Sequence, residues 1–205
     1  MGVHAPTFVS PGITGYGSAL SVNRSTTQYV SISNYFSLTY TSFTIEMWIY
    51  ATALAIGEYG LFSQSQQLSI NLNLHCVIRS YRMYMGFYAN DVNSTTNIAI
   101  NTWYHVAFVY NYPLRQQILY LNGVKVGLHS SAGPLVITSG PIAIGAADSS
   151  GAYDSFNGYI DQVYLITRAK DASELLDDAT LVTWHSFNGS YIDSGPNGIN
   201  GTGVN

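Results

Sequence analysis

Residues 141–175 read PIAIGAADSSGAYDSFNGYIDQVYLITRAKDASEL and combine several strong local signals. Apolar residues favour strands at 142–145 and 159–166, and a polar loop rich in Gly, Ser and Asp separates them. After an Arg-Ala turn, Asp171 stands three residues before a glutamate, which is the spacing of a helix capping box. The segment therefore predicts two strands followed by one short helix over 171–179.

The rest of the chain alternates apolar and polar residues with the period of a strand. In FTIEMWIY (43–50) every second residue from Phe43 is apolar, and QLSINLNL (67–74) alternates in the same way. Asn122-Gly123 separates two apolar runs and is a strong hairpin signal. Further strands fit residues 18–22, 28–32, 82–88, 103–110 and 117–121. This spacing of strands and turns predicts an all-β sandwich or jelly roll.

Composition narrows the classes of function. The chain has 205 residues, 47% of them hydrophobic, which suits one sizeable β domain. Only 9% are charged, the net charge is −4, and no basic run occurs, so a nucleic-acid partner is not expected. The single cysteine, Cys76, excludes an internal disulfide and is expected to be a buried apolar side chain. No apolar run reaches the length of a membrane span, and no signal peptide is visible.

Several stretches together resemble the laminin-G-like, concanavalin A-like jelly roll, the group that includes pentraxins. They are GSALSVNRSTTQYVSI (17–32), SFTIEMWIYA (42–51), NTWYHVAFVYN (101–111), LYLNGVKVG (119–127) and the 141–175 segment. The resemblance implies two antiparallel sheets packed face to face. It divides the chain into an extended N-terminal segment (1–16), a jelly-roll body (17–180) and a C-terminal strand and loop (181–205).

The C-terminal part resembles the strand and loop that open a unit of this family, here placed at the end of the chain. The matching stretches are LVTWHSFNG (181–189) and DSGPNGINGT (193–202). Either this strand fills its own slot, as in a circular permutation, or it completes the sheet of a neighbouring copy. Exchange of this kind, or of the 1–16 segment, would build filaments because it does not close on itself. Trp184 and Phe187 would then be the apolar anchors.

The resemblance to pentraxins also implies a Ca²⁺ site in the loop 146–157. Asp148 and Asp154 match ligand positions there, and Asn157 is a further oxygen donor. Other ligand positions are replaced by Ala146-Ala147 and by Gln66-Gln67, so a depleted calcium site and a plain polar loop are both open readings.

Four residues are candidates for sugar binding on a face turned away from the core: Glu46, Trp48, Arg82 and Tyr84. The alternative is that loops cover them. Four Asn-x-Ser/Thr sequons, each expected in a loop or turn, are candidate N-glycosylation sites: Asn23, Asn93, Asn188 and Asn200.

Catalysis has little support in the sequence. The related glucanases use closely spaced acids on one strand, whereas Glu46 stands alone on its strand. The five histidines are scattered without a zinc-type spacing. We therefore expect a non-enzymatic extracellular or cell-surface module. The first hypothesis is a structural subunit that assembles with copies of itself by strand exchange, and the alternative is a lectin-like glycan binder, with or without calcium.

Overall fold

A computed structural model describes residues 5–15, 17–148, 154–180, 185, 189–192 and 200–204. Within these ranges the chain forms thirteen strands, one short 3-10 helix (Arg24–Thr26) and one α-helix, α1 (Ala172–Thr180). The strands are β1 (Thr7–Val9), β2 (Ala19–Val22), β3 (Val30–Ile32), β4 (Phe43–Ala51), β5 (Glu58–Ser65), β6 (Asn73–Arg79), β7 (Arg82–Gly86), β8 (Asp91–Asn97), β9 (Trp103–Asn111), β10 (Gln116–Leu121), β11 (Val124–His129), β12 (Ile142–Ile144) and β13 (Gly158–Ile166).

The strands form two antiparallel sheets. The seven-stranded sheet has the order β1-β2-β13-β4-β9-β10-β11, and the six-stranded sheet has the order β3-β12-β5-β6-β7-β8. Strands that are distant in sequence, such as β4 and β13, lie side by side. The predicted all-β two-sheet jelly-roll sandwich with a single short helix is confirmed.

The core lies between the sheets and follows from strand alternation. In β4 every second residue, namely Phe43, Ile45, Met47 and Ile49, points inward and is fully buried. From the facing sheet, Leu74, Cys76 and Ile78 of β6 are fully buried in the same cluster. Burying a large apolar side chain contributes about 1.5–3 kcal/mol, so this alternation stabilises the packing of one sheet on the other. The expected burial of Cys76 is confirmed, and burial raises the pKa of its thiol well above the usual range.

The helix α1 covers part of the outer face of the seven-stranded sheet. Leu175 is fully buried against Ala107, Val109 and Tyr120 of β9 and β10. The predicted capping box is present, because Asp171 Oδ1 accepts from the backbone N–H groups of residues 173 and 174, and the Glu174 carboxylate accepts from the Asp171 N–H. No helix among the described residues is long and apolar enough to cross a membrane.

Local predictions were correct at the hairpin and wrong at one strand. Asn122-Gly123 forms the turn between β10 and β11, and both residues have positive φ angles of 49° and 75°. The strand expected at 67–74 begins only at Asn73. Residues 67–72 instead form turns, with Asn71 at a left-handed φ of 64° and Gln66 N–H donating to the Leu72 carbonyl.

The chain ends bear on the strand-exchange hypothesis. Thr7–Val9 pairs with β2 of its own chain at the edge of the seven-stranded sheet. The proposed anchors Trp184 and Phe187 lie outside the described residues, as does the sequon residue Asn188. Strand exchange therefore stays a prediction.

The other sequons lie in different settings. Asn23 caps the 3-10 helix by accepting from Ser25, and Asn200 is exposed. Asn93 is exposed but lies in β8, where a loop or turn was expected. The next residue, Ser94, holds this segment in the sheet, because its buried hydroxyl accepts from the Met83 N–H of the neighbouring strand.

Candidate functional site

The outer face of the six-stranded sheet carries aligned rows of polar side chains. Because residues alternate along β6, Leu74, Cys76 and Ile78 enter the core, while Asn73, His75 and Arg79 stand on the outer face. Strand register sets these residues opposite partners on β7 and β8. One row is His75, Gly86 and Asp91, and a second row begins at Arg79. Residues from three strands are thereby brought to one surface.

The second row runs Glu58, Arg79, Arg82 and Asn97 across β5 to β8. The Arg79 guanidinium makes an ion pair with the Glu58 carboxylate and lies 3.9 Å from the centroid of the Tyr84 ring. The Arg82 Nε donates to the Asn97 side-chain oxygen at 3.3 Å. A planar guanidinium stacked on an aromatic ring and paired with a carboxylate is fixed in direction.

His75 and Asp91 of the first row form a compact polar cluster with Tyr84, which lies next to that row. The His75 ring stacks on the Tyr84 ring, with centroids 6.1 Å apart and planes inclined by 12°. The Tyr84 hydroxyl donates to Asp91 Oδ2 at 3.2 Å, and His75 Nε2 lies 3.9 Å from Asp91 Oδ1. A Cβ at Gly86 would lie only 2.0 Å from Asp91 Oδ1 and 2.4 Å from His75 Nε2. Glycine at this position is therefore what admits both side chains.

Burial shapes the protonation of this cluster. It lowers the pKa of His75, and the nearby Asp91 carboxylate opposes that effect only in part. Burial also raises the pKa of Tyr84, and the Asp91 charge adds to the rise. At neutral pH the imidazole and the phenol are therefore uncharged.

Two clefts open on this face and share Arg79. The first, which we name the arginine cleft, has a volume of about 410 Å³ and is lined by Arg79, Ser80, Arg82, Tyr84, Asn93 and Asn97. The second, the loop cleft, has a volume of about 300 Å³, and besides Arg79 its lining includes Glu58, Leu68, His75, Tyr88, Asp148 and Asp154. Both volumes are in the range of small-molecule sites, roughly 300–1,000 Å³.

The loop that carries Asp148 and Asp154 reaches the loop cleft by crossing β5 at Gly60. A Cβ at Gly60 would lie 1.9 Å from the Ala147 nitrogen, and the Gly60 N–H donates to the Asp154 carbonyl at 2.7 Å. Because Gly60 has no side chain, the loop can approach β5 this closely.

Two of the three predicted calcium ligands in this loop contact other protein groups. Asp154 Oδ1 lies 3.6 Å from the Arg24 guanidinium, which is itself fixed 4.4 Å over the Tyr59 ring. The Asn157 side chain has other partners. Its oxygen accepts from the backbone N–H of Arg24, and its nitrogen donates to the Thr52 hydroxyl. In the described ranges, no three acidic, His or Cys side chains are grouped as metal ligands. Arg24 supplies the positive charge beside Asp154, and calcium binding stays a prediction.

The four predicted sugar-binding residues lie on opposite faces of the sandwich. Arg82 and Tyr84 line the arginine cleft, whereas Glu46 and Trp48 belong to β4 of the other sheet. Glu46 is 2% exposed, because Lys170 near the start of α1 pairs with its carboxylate. The structure therefore brings together one pair of the predicted residues and separates it from the other.

Glu46 belongs to a buried charge network beneath α1. The Lys170 ammonium also contacts Asp178 of α1 at 2.7 Å, and His105 Nε2 lies 3.6 Å from Glu46 Oε2. Burial raises the pKa of Glu46 and lowers that of His105 from 6.5 to about 4. The network ties the helix to the sheet, and its Glu46, His105 and Lys170 side chains are almost fully covered.

Beside that network, the same face carries a half-buried aromatic ladder. Tyr50 stacks on Tyr159 at 5.4 Å with planes 19° apart and contacts Trp103 at 5.5 Å. Trp48 meets the His105 ring edge-on at 5.3 Å. The alternation of β4 predicted that Trp48 and Tyr50 share a face with Glu46, and they do.

His75, Arg79, Asp91 and Gly86 were missed as site residues. The signal that could have found the first two is the alternation in NLHCVIR (73–79), where polar residues occupy every second position except Val77. Placing the strand at 67–74 hid that alternation.

Comparison with solved structures shows the same fold in sugar-binding and other proteins. Domain 4 of AbnA, a GH43 extracellular arabinanase from Geobacillus stearothermophilus, in complex with arabinotriose, matches with a TM-score of 0.67 and 16% identity, covering 84% of this chain and 80% of that chain. The CBM40 of a Ruminococcus gnavus IT-sialidase, bound to alpha2,3 sialyllactose, matches with a TM-score of 0.57 and 16% identity, covering 66% and 80%. A heptameric SAP-like pentraxin from Limulus polyphemus matches with a TM-score of 0.54 and 14% identity, covering 75% and 82%.

In two other matches this chain spans 44% and 47% of the matched chain, so the fold also occurs as one part of longer chains. A search of curated proteins gave no significant match. A laminin-G family profile, described as Concanavalin A-like lectin/glucanases superfamily, matches residues 24–176, which is more than half of the sequence. The chain therefore belongs to the concanavalin A-like lectin/glucanases superfamily.

Proposed function

We propose that this chain is a non-catalytic carbohydrate-binding domain whose site is the outer face of the six-stranded sheet. The observation that carries the proposal is the pair of adjoining clefts that share Arg79, a side chain fixed by Glu58 and by the Tyr84 ring. Sugars present many hydroxyl groups, so their recognition needs several directed donors and acceptors on one surface.

The chemistry of the lining suits a sugar. Asn93 and Asn97 offer amide donors and acceptors, and Arg79 offers guanidinium N–H groups. Leu68, which is 62% exposed, and Tyr88 add apolar surface at the rim of the loop cleft. Because Tyr84 is held on one side by Arg79 and on the other by His75, little side-chain freedom remains to be lost on binding.

The comparisons favour this class of ligand over a purely structural role. Two proteins of the same fold are described as bound to arabinotriose and to alpha2,3 sialyllactose, although the low identity carries over only the fold. An extracellular location is part of the proposal, supported by the low content of charged residues, 9%, and by the description of the arabinanase as extracellular.

A non-catalytic role is supported by how three carboxylates on this face are engaged. Glu58 pairs with Arg79, Asp154 with Arg24, and Asp91 accepts from Tyr84. Hydrolysis of a glycoside by the usual route needs two carboxyl groups free to act as acid and as base or nucleophile.

The test is a glycan array followed by calorimetry on the folded protein. We expect the wild type to bind a defined subset of glycans, and Tyr84→Ala to weaken that binding about tenfold or more, because the ring that orients Arg79 is lost. Tyr164→Ala is the matched control, since Tyr164 is 51% exposed on the other sheet. Failure of the wild type to bind any glycan, or equal binding by Tyr84→Ala, contradicts the proposal. Release of reducing sugar from a bound glycan would contradict its non-catalytic part.

A further inference from the structure

The two clefts differ in charge. Three carboxylate residues line the loop cleft: Glu58, Asp148 and Asp154. Among the described residues that line the arginine cleft, two are arginines, none is acidic, and the others are neutral and polar. A chain with a net charge of −4 therefore carries a locally positive cleft.

The two arginines face each other directly across a hairpin. Arg79 ends β6 and Arg82 begins β7, and they are register partners on either side of the turn formed by Ser80 and Tyr81. Direct cross-strand partners lie on the same face with Cβ atoms about 4.5–5.5 Å apart, and like charges in that position destabilise a sheet. The pair thus places two cations side by side at one end of the cleft.

Only one of these charges is compensated within the row. Glu58 pairs with Arg79, whereas Arg82 donates to the neutral Asn97 amide. The row of Glu58, Arg79, Arg82 and Asn97 therefore carries one excess positive charge. Arg82 is exposed and lines the cleft, and its hydrogen bond to Asn97 uses Nε, so that bond leaves the terminal nitrogens of its guanidinium for another acceptor.

From this arrangement we infer that the arginine cleft binds the acidic group, a carboxylate or a sulfate, of an acidic sugar. The inference rests on the proposed function and specifies its ligand class. A guanidinium fork matches the paired oxygens of a carboxylate or sulfate, and an anion between Arg79 and Arg82 relieves their mutual repulsion. The Asn93 amide and the Ser80 hydroxyl remain for the hydroxyl groups of the same sugar.

The experiment compares immobilised oligosaccharides in matched pairs that differ only in one carboxylate or one sulfate, using surface plasmon resonance at low and high salt. We expect the acidic member to bind at least about tenfold more tightly than its neutral counterpart, as one charge-assisted contact implies. Added salt should reduce that preference, since Arg82 is exposed. The carboxylate and sulfate pairs show which of the two anions is preferred.

Arg82→Gln should remove the preference, because it lowers the affinity for the acidic member about tenfold more than the affinity for the neutral member when the charge-assisted contact is lost. The charge-matched control is Arg168→Gln, since Arg168 is 54% exposed and pairs with Glu174 at the start of α1, on the opposite face of the sandwich. That control should keep the preference.

The outcomes separate the two proposals. If acidic and neutral members bind equally and Arg82→Gln binds as the wild type does, the acidic-sugar inference is overturned while carbohydrate binding stands. If Arg168→Gln loses the preference as fully as Arg82→Gln does, the effect is one of overall charge and the inference is again overturned. If no member of any pair binds, both proposals fail.

Discussion

The outer faces of the two sheets differ in how far their ion pairs are exposed to solvent. On the seven-stranded sheet, α1 and Lys170 bury Glu46, which is 2% exposed, in an ion pair. On the six-stranded sheet, Arg79 and Glu58 form a similar pair, but their side chains are 35% and 27% exposed and line two open clefts. The same kind of pair thus holds a helix against the sheet on one face and lines open clefts on the other.

The largest effect that this comparison predicts is on stability. Glu46→Ala leaves the Lys170 ammonium, 10% exposed, with only Asp178 as an acidic partner, and removing one member of a buried pair costs about 3 kcal/mol or more. Glu58→Ala removes a partly exposed pair, which contributes about 1 kcal/mol or less. Urea unfolding of the two variants measures the difference, and equal losses would show that the two faces do not differ as described.

The covered face should also contribute to the pH dependence of stability, through His105. Burial lowers the pKa of His105 from 6.5 to about 4, so its contribution is fully present above pH 6.5 and is lost as the pH falls towards 4. A shift of this size corresponds to about 3 kcal/mol. We expect His105→Gln to flatten the stability profile between pH 6.5 and 4 relative to the wild type. A profile as steep as that of the wild type would show that His105 does not titrate in this way.

Much of the fold could be predicted from the sequence because it depends on local signals. Alternation predicted β4 and β9, Asn122-Gly123 predicted a hairpin, and Asp171 predicted the start of a helix. Each of these signals acts over a few residues. The stretch 67–74, which was predicted as a strand, also alternates, but residues 67–72 form turns there, with hydrogen bonds within the turns and a left-handed backbone at Asn71.

The site was less predictable because it depends on register between strands. Arg82 and Tyr84 were singled out from their own strand, yet Glu58 and Asp91 join them only through pairing across β5 to β8. Glu46 was chosen by the same reasoning as Tyr84. Only the three-dimensional position of α1 shows that Glu46 is covered.

A smaller effect is expected where the open face depends on a missing side chain. Gly86→Ala places a Cβ 2.0 Å from Asp91 Oδ1 and 2.4 Å from His75 Nε2, so at least one of these side chains must move. Such overpacking costs about 1–3 kcal/mol. Because Asp91 accepts from the Tyr84 hydroxyl, glycan binding should weaken as well. Calorimetric titration alongside thermal unfolding checks both effects, and unchanged binding would show that the His75–Gly86–Asp91 row does not support the clefts.

The smallest effect should be confined to the covered face. Asp171→Ala removes the side-chain oxygen that accepts from the N–H groups of Ser173 and Glu174, and loss of a helix N-cap costs about 1 kcal/mol. Asp171→Asn, which retains an acceptor oxygen, should recover most of that loss. Since α1 lies on the seven-stranded sheet, glycan affinity on the opposite face should be the same in all three proteins. Binding that weakened together with the cap would mean that the two faces are coupled through the core, and that the open face is not independent of the helix.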